Sequence, residues 1–200
     1  MNLTIADIKN YALMEINHEM IDNWEDDTNT DIPIINKQFD LAIREALAMH
    51  PWNFAKTYAK IELSEVPAGT NTNPYKYTAE VPNVLCNLAV FYDDKYMDVA
   101  GRWWFDGLNL SANKDVLYVS YTDESYTNQP TKLPSYFIDW FKTFLASRIN
   151  SYLNGDIQRE QLLKAEEPLL FRKAKAMDGK IQPNDSLASN PILDARRIWG

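Results

Sequence analysis

The sequence predicts an α+β fold: a mainly helical bundle of two N-terminal and two C-terminal helices, interrupted by a small antiparallel β-sheet region and followed by an extended C-terminal arm. Three observations predict it. Apolar residues recur at three-to-four spacing near both ends of the 200-residue chain. The period changes to two in the middle, beginning near Ala55. The last twenty residues carry Pro183 and Pro191 among polar residues and hold no helix-length apolar pattern. The implied division is a bundle of residues 1–51 and 133–179, a β-rich insertion at 52–132 and an arm at 180–200.

The first helix is expected over Leu3 to Asn17. Ile5, Ile8, Ala12, Leu13 and Ile16 share one face, and Thr4 with Asp7 makes an N-terminal capping pair. An acidic polar loop follows from Trp24. Asp31 is then expected to cap a second helix with Pro33 in its first turn. Its apolar face is Ile35, Phe39, Ala42, Ile43, Ala46, Leu47 and Met49, and His50-Pro51 ends it.

From Phe54 to Leu63 the alternation predicts a strand, followed by a turn-rich loop through Pro74. Tyr75 to Thr78 is a short extended piece, and Pro82 is expected to open a short helix through Leu88. Further strands are expected at 90–92, 103–105, 108–110 and 116–121. Helix resumes at Leu133 with Pro134 in its first turn. Phe137, Trp140, Phe141, Phe144 and Leu145 mark its apolar face, which is expected to be the best-buried block and to pack on Ile35, Phe39, Ile43 and Leu47. Asn154-Gly155 stops that helix, and Asp156 caps a fourth that runs to Asp178-Gly179. Pro168 is expected to kink or interrupt it, because proline lacks the N–H and crowds the preceding turn.

Composition narrows the function. The chain has a net charge of −8, which disfavours a general nucleic-acid binder. Residues 1–141 carry 10 Lys and Arg against 21 Asp and Glu, whereas residues 142–200 carry 10 against 7. The two ends therefore face different electrostatic partners, or each other across a subunit boundary. Cys86 is the single cysteine, so neither an intrachain disulfide nor a thiolate metal cage can form, and its reading is a small buried hydrophobe. The N-terminus lacks the pattern of a signal peptide, and no apolar run approaches the roughly 20 residues of a membrane span. A reducing cytoplasm is the expected site of synthesis.

No catalytic, cofactor-binding or metal-ligating residues are assigned. His18 and His50 have no His or Cys at ligand spacing, and phosphate-loop, dinucleotide, zinc-protease and nucleophile-elbow motifs are missing from the sequence. Glu25, Asp26, Asp27 and Asp31, and separately Asp93, Asp94 and Asp98, read as solvated acidic loops, since neither has the glycine placement of a calcium loop. Glu166 and Glu167 among Arg159, Lys164, Arg172 and Lys173 read as a salt-bridged helix face. Trp103-Trp104-Phe105 could offer a stacking platform, but adjacent strand residues point to opposite faces, which leaves one side for the core and one for an interface.

Several segments together resemble a known family. They are His50-Pro51-Trp52-Asn53-Phe54-Ala55 after the second helix, Pro74-Tyr75-Lys76-Tyr77, Val81-Pro82-Asn83-Val84-Leu85 and Val116 to Thr122. After these come Leu133 to Phe137, Phe144-Leu145-Ala146-Ser147-Arg148-Ile149 and Arg172 to Asp178. In this order, over about residues 3–180, they resemble the tail tubular protein A family, the head-to-tail adaptors of short-tailed bacteriophages. The resemblance implies a non-enzymatic virion protein without cofactors. It implies a ring, taken to be dodecameric, that joins portal protein to tail nozzle protein at the head–tail junction. Such a ring is assembled in the host bacterial cytoplasm, and DNA passes through its lumen without specific binding. Acidic loops at Glu25–Asp31, Asp93-Asp94 and Asp123-Glu124 are the expected lumen candidates, because a negative wall repels phosphate. A head-completion or stopper protein of a longer-tailed phage, or a small carbohydrate-binding module using Trp103-Trp104, are the alternatives. In the arm, Ile192, Leu193, Arg196, Arg197, Ile198 and Trp199 are the expected docking residues for portal or for a neighbouring subunit.

Overall fold

The computed structural model describes residues 3–67, 74–92 and 102–181. Helix α1 spans Ile5–Glu15 and opens on the expected capping box. Asp7 accepts the Thr4 N–H at 2.8 Å, and the Thr4 hydroxyl accepts the Asp7 N–H at 3.1 Å, so two of the otherwise orphaned donors are satisfied. Helix α2 spans Asp31–Ala48. Asp31 is its first helical residue and not its cap. The preceding loop supplies Asn29, whose side-chain oxygen accepts the Asp31 N–H at 2.9 Å.

A 3-10 turn, Asn53–Ala55, leads into the β region. Strands β1 (Lys56–Glu62), β7 (Val116–Asp123) and β4 (Val84–Phe91) form one antiparallel sheet with β7 at its centre. The second sheet is β2 (Ser64–Glu65), β3 (Tyr77–Glu80), β6 (Asn109–Ala112) and β5 (Trp103–Phe105), in that order. Leu63, Val81, Val90, Leu110, Leu117 and Val119, from strands and joints of both sheets, bury one apolar cluster.

The helix expected from Pro82 to Leu88 is instead the first half of β4. Valines and leucines of either parity fit a strand, and β7 offers an open edge for pairing, so tertiary context overrides the local pattern. The pairing is irregular between Val84 and Ala89. Asn87 (φ 56°) lies within the irregular stretch in a left-handed conformation and donates to the Thr122 hydroxyl at 3.1 Å, and Asn83 (φ 62°) takes the same conformation just before the strand.

Helix α3 spans Ser135–Leu153, with Pro134 as the extended residue before it instead of inside its first turn. At Asn154-Gly155 the chain reverses. Gly155 has φ 61°, a conformation that favours glycine, and its N–H reaches the Asn150 carbonyl at 2.8 Å. Asp156 caps helix α4 by accepting the Arg159 N–H at 3.0 Å. Helix α4 runs from Ile157 to Ile181 and continues through Pro168, so the expected interruption does not occur. Pro168 is exposed, and the carbonyl left without its N–H partner can be hydrated there.

The four helices bury a single apolar cluster. Phe39, Ile43, Leu47, Phe137, Trp140, Phe141 and Phe144 all lie in it, with Ile35 and Leu145. At one end of the bundle, Glu15 joins the helices by pairing with Lys142 at 3.1 Å and Arg159 at 3.2 Å, and Asn154 donates to the Ile16 carbonyl at 2.7 Å. At the other end the bundle meets the first sheet, where Arg44 of α2 pairs with Glu124 at 2.5 Å and Leu85 packs on the helical cluster. Among the described residues no helix is long and apolar enough to cross a membrane.

Candidate functional site

The expected role is assembly, so the candidate site is a set of surfaces and the joint that orients them. The joint lies where α2 ends. Trp52 is fully buried there, and its indole N–H donates to the Ala46 carbonyl at 2.9 Å. Around it stand Phe137 at 5.1 Å, edge on, and Trp140 and Phe171 at 5.6 and 6.0 Å between ring centres. Trp140 in turn donates to Glu167 of α4 at 2.7 Å, which ties α3 to α4 through a polar handle on a buried ring. Trp52 and Phe171 are absent from the core block expected from the sequence. The signal for Trp52 is its place just past a helix end, where periodicity no longer reports burial.

Asp178 closes the joint. It is fully buried, accepting the Asn53 N–H at 2.8 Å and the Tyr136 hydroxyl at 2.8 Å, while Asn53 donates its side-chain amide to the Asp178 carbonyl at 3.2 Å. His50 stands 3.9 Å from the same carboxylate. Burial, and then the bond to Asp178, raises the Tyr136 phenol well above its ordinary range. Burial pulls the His50 imidazole down, although the nearby Asp178 charge opposes this. The cluster fixes the last turns of α4 against the linker. Read from the sequence, Asp178 is only a helix stop; its role depends on Asn53 and Tyr136, which are remote along the chain. Asp178→Ala should cost about 1–3 kcal/mol for each of the two donors left unpaired. Asp178→Asn should cost less, since the amide oxygen still accepts. Thermal melts of the two variants in that order check this, and equal melts would refute it.

The acidic segment between α1 and α2 is held by short local turns. Asp26 accepts the Thr28 N–H at 2.9 Å, and Asn10 clamps Ile21 through both backbone groups at 3.0 and 3.1 Å. Among the described residues no group of His, Cys, Asp or Glu is placed to hold a metal ion. The expected lumen pair Asp123-Glu124 is committed within the chain. Asp123 caps the turn that follows by accepting the Ser125 N–H at 2.8 Å, and Glu124 pairs with Arg44. Asp93, Asp94 and Asp98 lie outside the described residues, as do Ile192, Leu193, Arg196, Arg197, Ile198 and Trp199.

Trp103 and Phe105 face the sheet cluster while Trp104 is exposed, so the strand presents a single indole and not a two-ring platform. A shallow polar cavity of about 530 Å³ near Tyr77, Tyr92 and Lys114 lies on the sheets without contribution from Trp103 or Trp104. Cys86 is half-buried and not fully enclosed. Its Sγ lies 3.9 Å from the Leu47 carbonyl, and burial raises its thiol. The expected salt-bridged face of α4 is only partly so: Lys164 pairs with Glu160, Arg159 pairs with Glu15 and Glu167 turns to Trp140.

The outer side of α4 carries a second apolar stripe. Leu163 and Ala174 face the core, whereas Leu162 and Leu169 are 59% and 61% exposed. No protein-family model matches the chain, and no curated protein matches it.

Proposed function

We propose that this chain is a structural virion protein, a head-to-tail adaptor whose copies form a ring between portal and tail nozzle and let DNA pass through the lumen. One observation carries the reading. Several of the segments that resemble the adaptor family lie in the helical core or where the bundle meets the sheet. Trp52 and Phe54 pack where bundle and sheet meet, and the Leu145-Ala146 pair lies in the core of α3. Asp178, at the end of the last family-like segment, anchors α4 to that joint. An obligate assembly protein also needs apolar surface beyond its own core, and the outer stripe of α4 supplies it.

The test is co-sedimentation of the purified chain with the portal protein of the same virus. The proposal predicts saturable binding at a fixed ratio to portal subunits; no binding contradicts it. A conduit also has to release DNA. With a net charge of −8, the isolated chain should not shift duplex DNA at physiological salt. Tight, salt-sensitive DNA binding in a mobility-shift assay would contradict the lumen role.

A further inference from the structure

The stripe on α4 has the spacing of an interhelical seam. Leu162, Ala165, Leu169 and Ala176 are all exposed and follow one another at intervals of three, four and seven residues. The other side of the same helix is already used, by Leu163, Leu170 and Ala174 against the bundle. The stripe is also charged asymmetrically. From Leu169 onward α4 carries Arg172, Lys173, Lys175 and Lys180, and its only carboxylate, Asp178, is buried.

The opposite charge lies elsewhere on the molecule. Between Lys9 and Lys37 there are seven carboxylates and no Lys or Arg. Glu19, Asp22, Glu25, Asp26 and Asp27 of this stretch are exposed, with the exposed Met20 beside them. These two patches cannot neutralise each other within one copy. The acidic segment follows α1 at the end of the bundle where Arg159, near the start of α4, meets Glu15. The basic half of α4 lies toward the other end, where Asp178 meets Asn53. A helix of 25 residues is about 37 Å long, several Debye lengths at physiological salt.

We propose that the outer face of α4 docks a second copy of this chain, whose acidic segment between α1 and α2 lies against the basic C-terminal half of the helix while apolar side chains fill the seam. The two surfaces differ, so the contact is head-to-tail. Repetition of such a contact gives a ring where the rotation closes and a filament where it does not. This rests on the adaptor reading and names its copy-to-copy interface. It also moves the acidic segment from the lumen wall to a subunit boundary.

The experiment uses the full chain without portal. One variant reverses α4 with Arg172→Glu, Lys173→Glu and Lys180→Glu. A second reverses the loop with Asp22→Lys, Glu25→Lys and Asp27→Lys, which leaves the Asp26 turn intact. Zero-length carbodiimide cross-linking at low ionic strength, read on a denaturing gel, gives the yield of covalent multimers. Wild type should cross-link, and each variant alone should fall by about tenfold. An equal mixture of the two should recover the yield, because each α4 then meets a loop of opposite sign. Circular dichroism melts establish that both variants fold. Should either not fold, Lys173→Gln and added salt must each lower the wild-type yield. No cross-linking of wild type, equal yields in all samples, or a mixture that does not recover would each overturn the contact. Portal binding is measured separately. An intact cross-link without portal binding therefore counts against the adaptor reading alone, and portal binding without the cross-link counts against this interface alone.

Discussion

Trp140→Ala should destabilise the domain by about 3–5 kcal/mol, the range for deleting a buried aromatic ring. Trp140 is fully buried, with Phe171 at 4.7 Å, Phe144 at 5.4 Å and Phe137 at 5.5 Å between ring centres. The substitution removes those contacts and leaves the Glu167 carboxylate without its indole donor. Neighbouring rings cannot collapse fully into the space because they brace one another. For a chain of this size the melting temperature should drop by about 6–20 °C. Trp104→Ala is the control: its ring is 45% exposed, so its melt should stay near that of wild type. A Trp140→Ala protein that melts within about a degree or two of wild type would refute the packed joint between α3 and α4.

The second large effect concerns attachment. Cutting the chain after Ile181 should leave its melting temperature unchanged and abolish binding to portal. Because α4 continues to Ile181, the cut spares every turn of the helix and the Asp178 cluster. The removed segment carries Ile192, Leu193, Ile198 and Trp199 with Arg196 and Arg197 between them. Burying those four apolar side chains yields about 1.5–3 kcal/mol each, whereas ordering each residue costs about 1–2 kcal/mol. For the eight residues from Ile192 to Trp199 this is about 6–12 kcal/mol gained against about 8–16 kcal/mol lost, so docking of one copy gains little by itself and depends on many copies acting together on a portal. Calorimetry and co-sedimentation of the truncated chain check both halves. Unchanged portal occupancy would show that the segment has no docking role.

Where the sequence was informative, the cause was local. Thr4 and Asp7 make a cap because three residues of helix bring their side chains back to each other's backbone. Asn154-Gly155 ends α3 because glycine takes the left-handed position freely. The aromatic block from Phe137 to Phe144 announces its burial through helical spacing alone. Other features depend on distant partners. The Val84–Phe91 segment is a strand because β7 needs a neighbour, and neither its period nor Pro82 says so. Pro168 stays inside α4 because it lies on the solvent side, a fact set by which face Leu163 and Ala174 bury. Asp178 is a buried acceptor only once Tyr136 and Asn53 are folded beside it. The division into two sheets also follows from pairing, which no single strand encodes. In α4 the leucine pairs at 162–163 and 169–170 are visible in the sequence, but packing alone tells which member faces out.

Microscopy of the full chain mixed with its portal tests the central claim most directly. The account predicts a closed ring of added density on the tail side of the portal, with an open central channel and one copy of the chain at each repeat. Portal particles that remain bare, or that carry scattered copies without a closed ring, would contradict it.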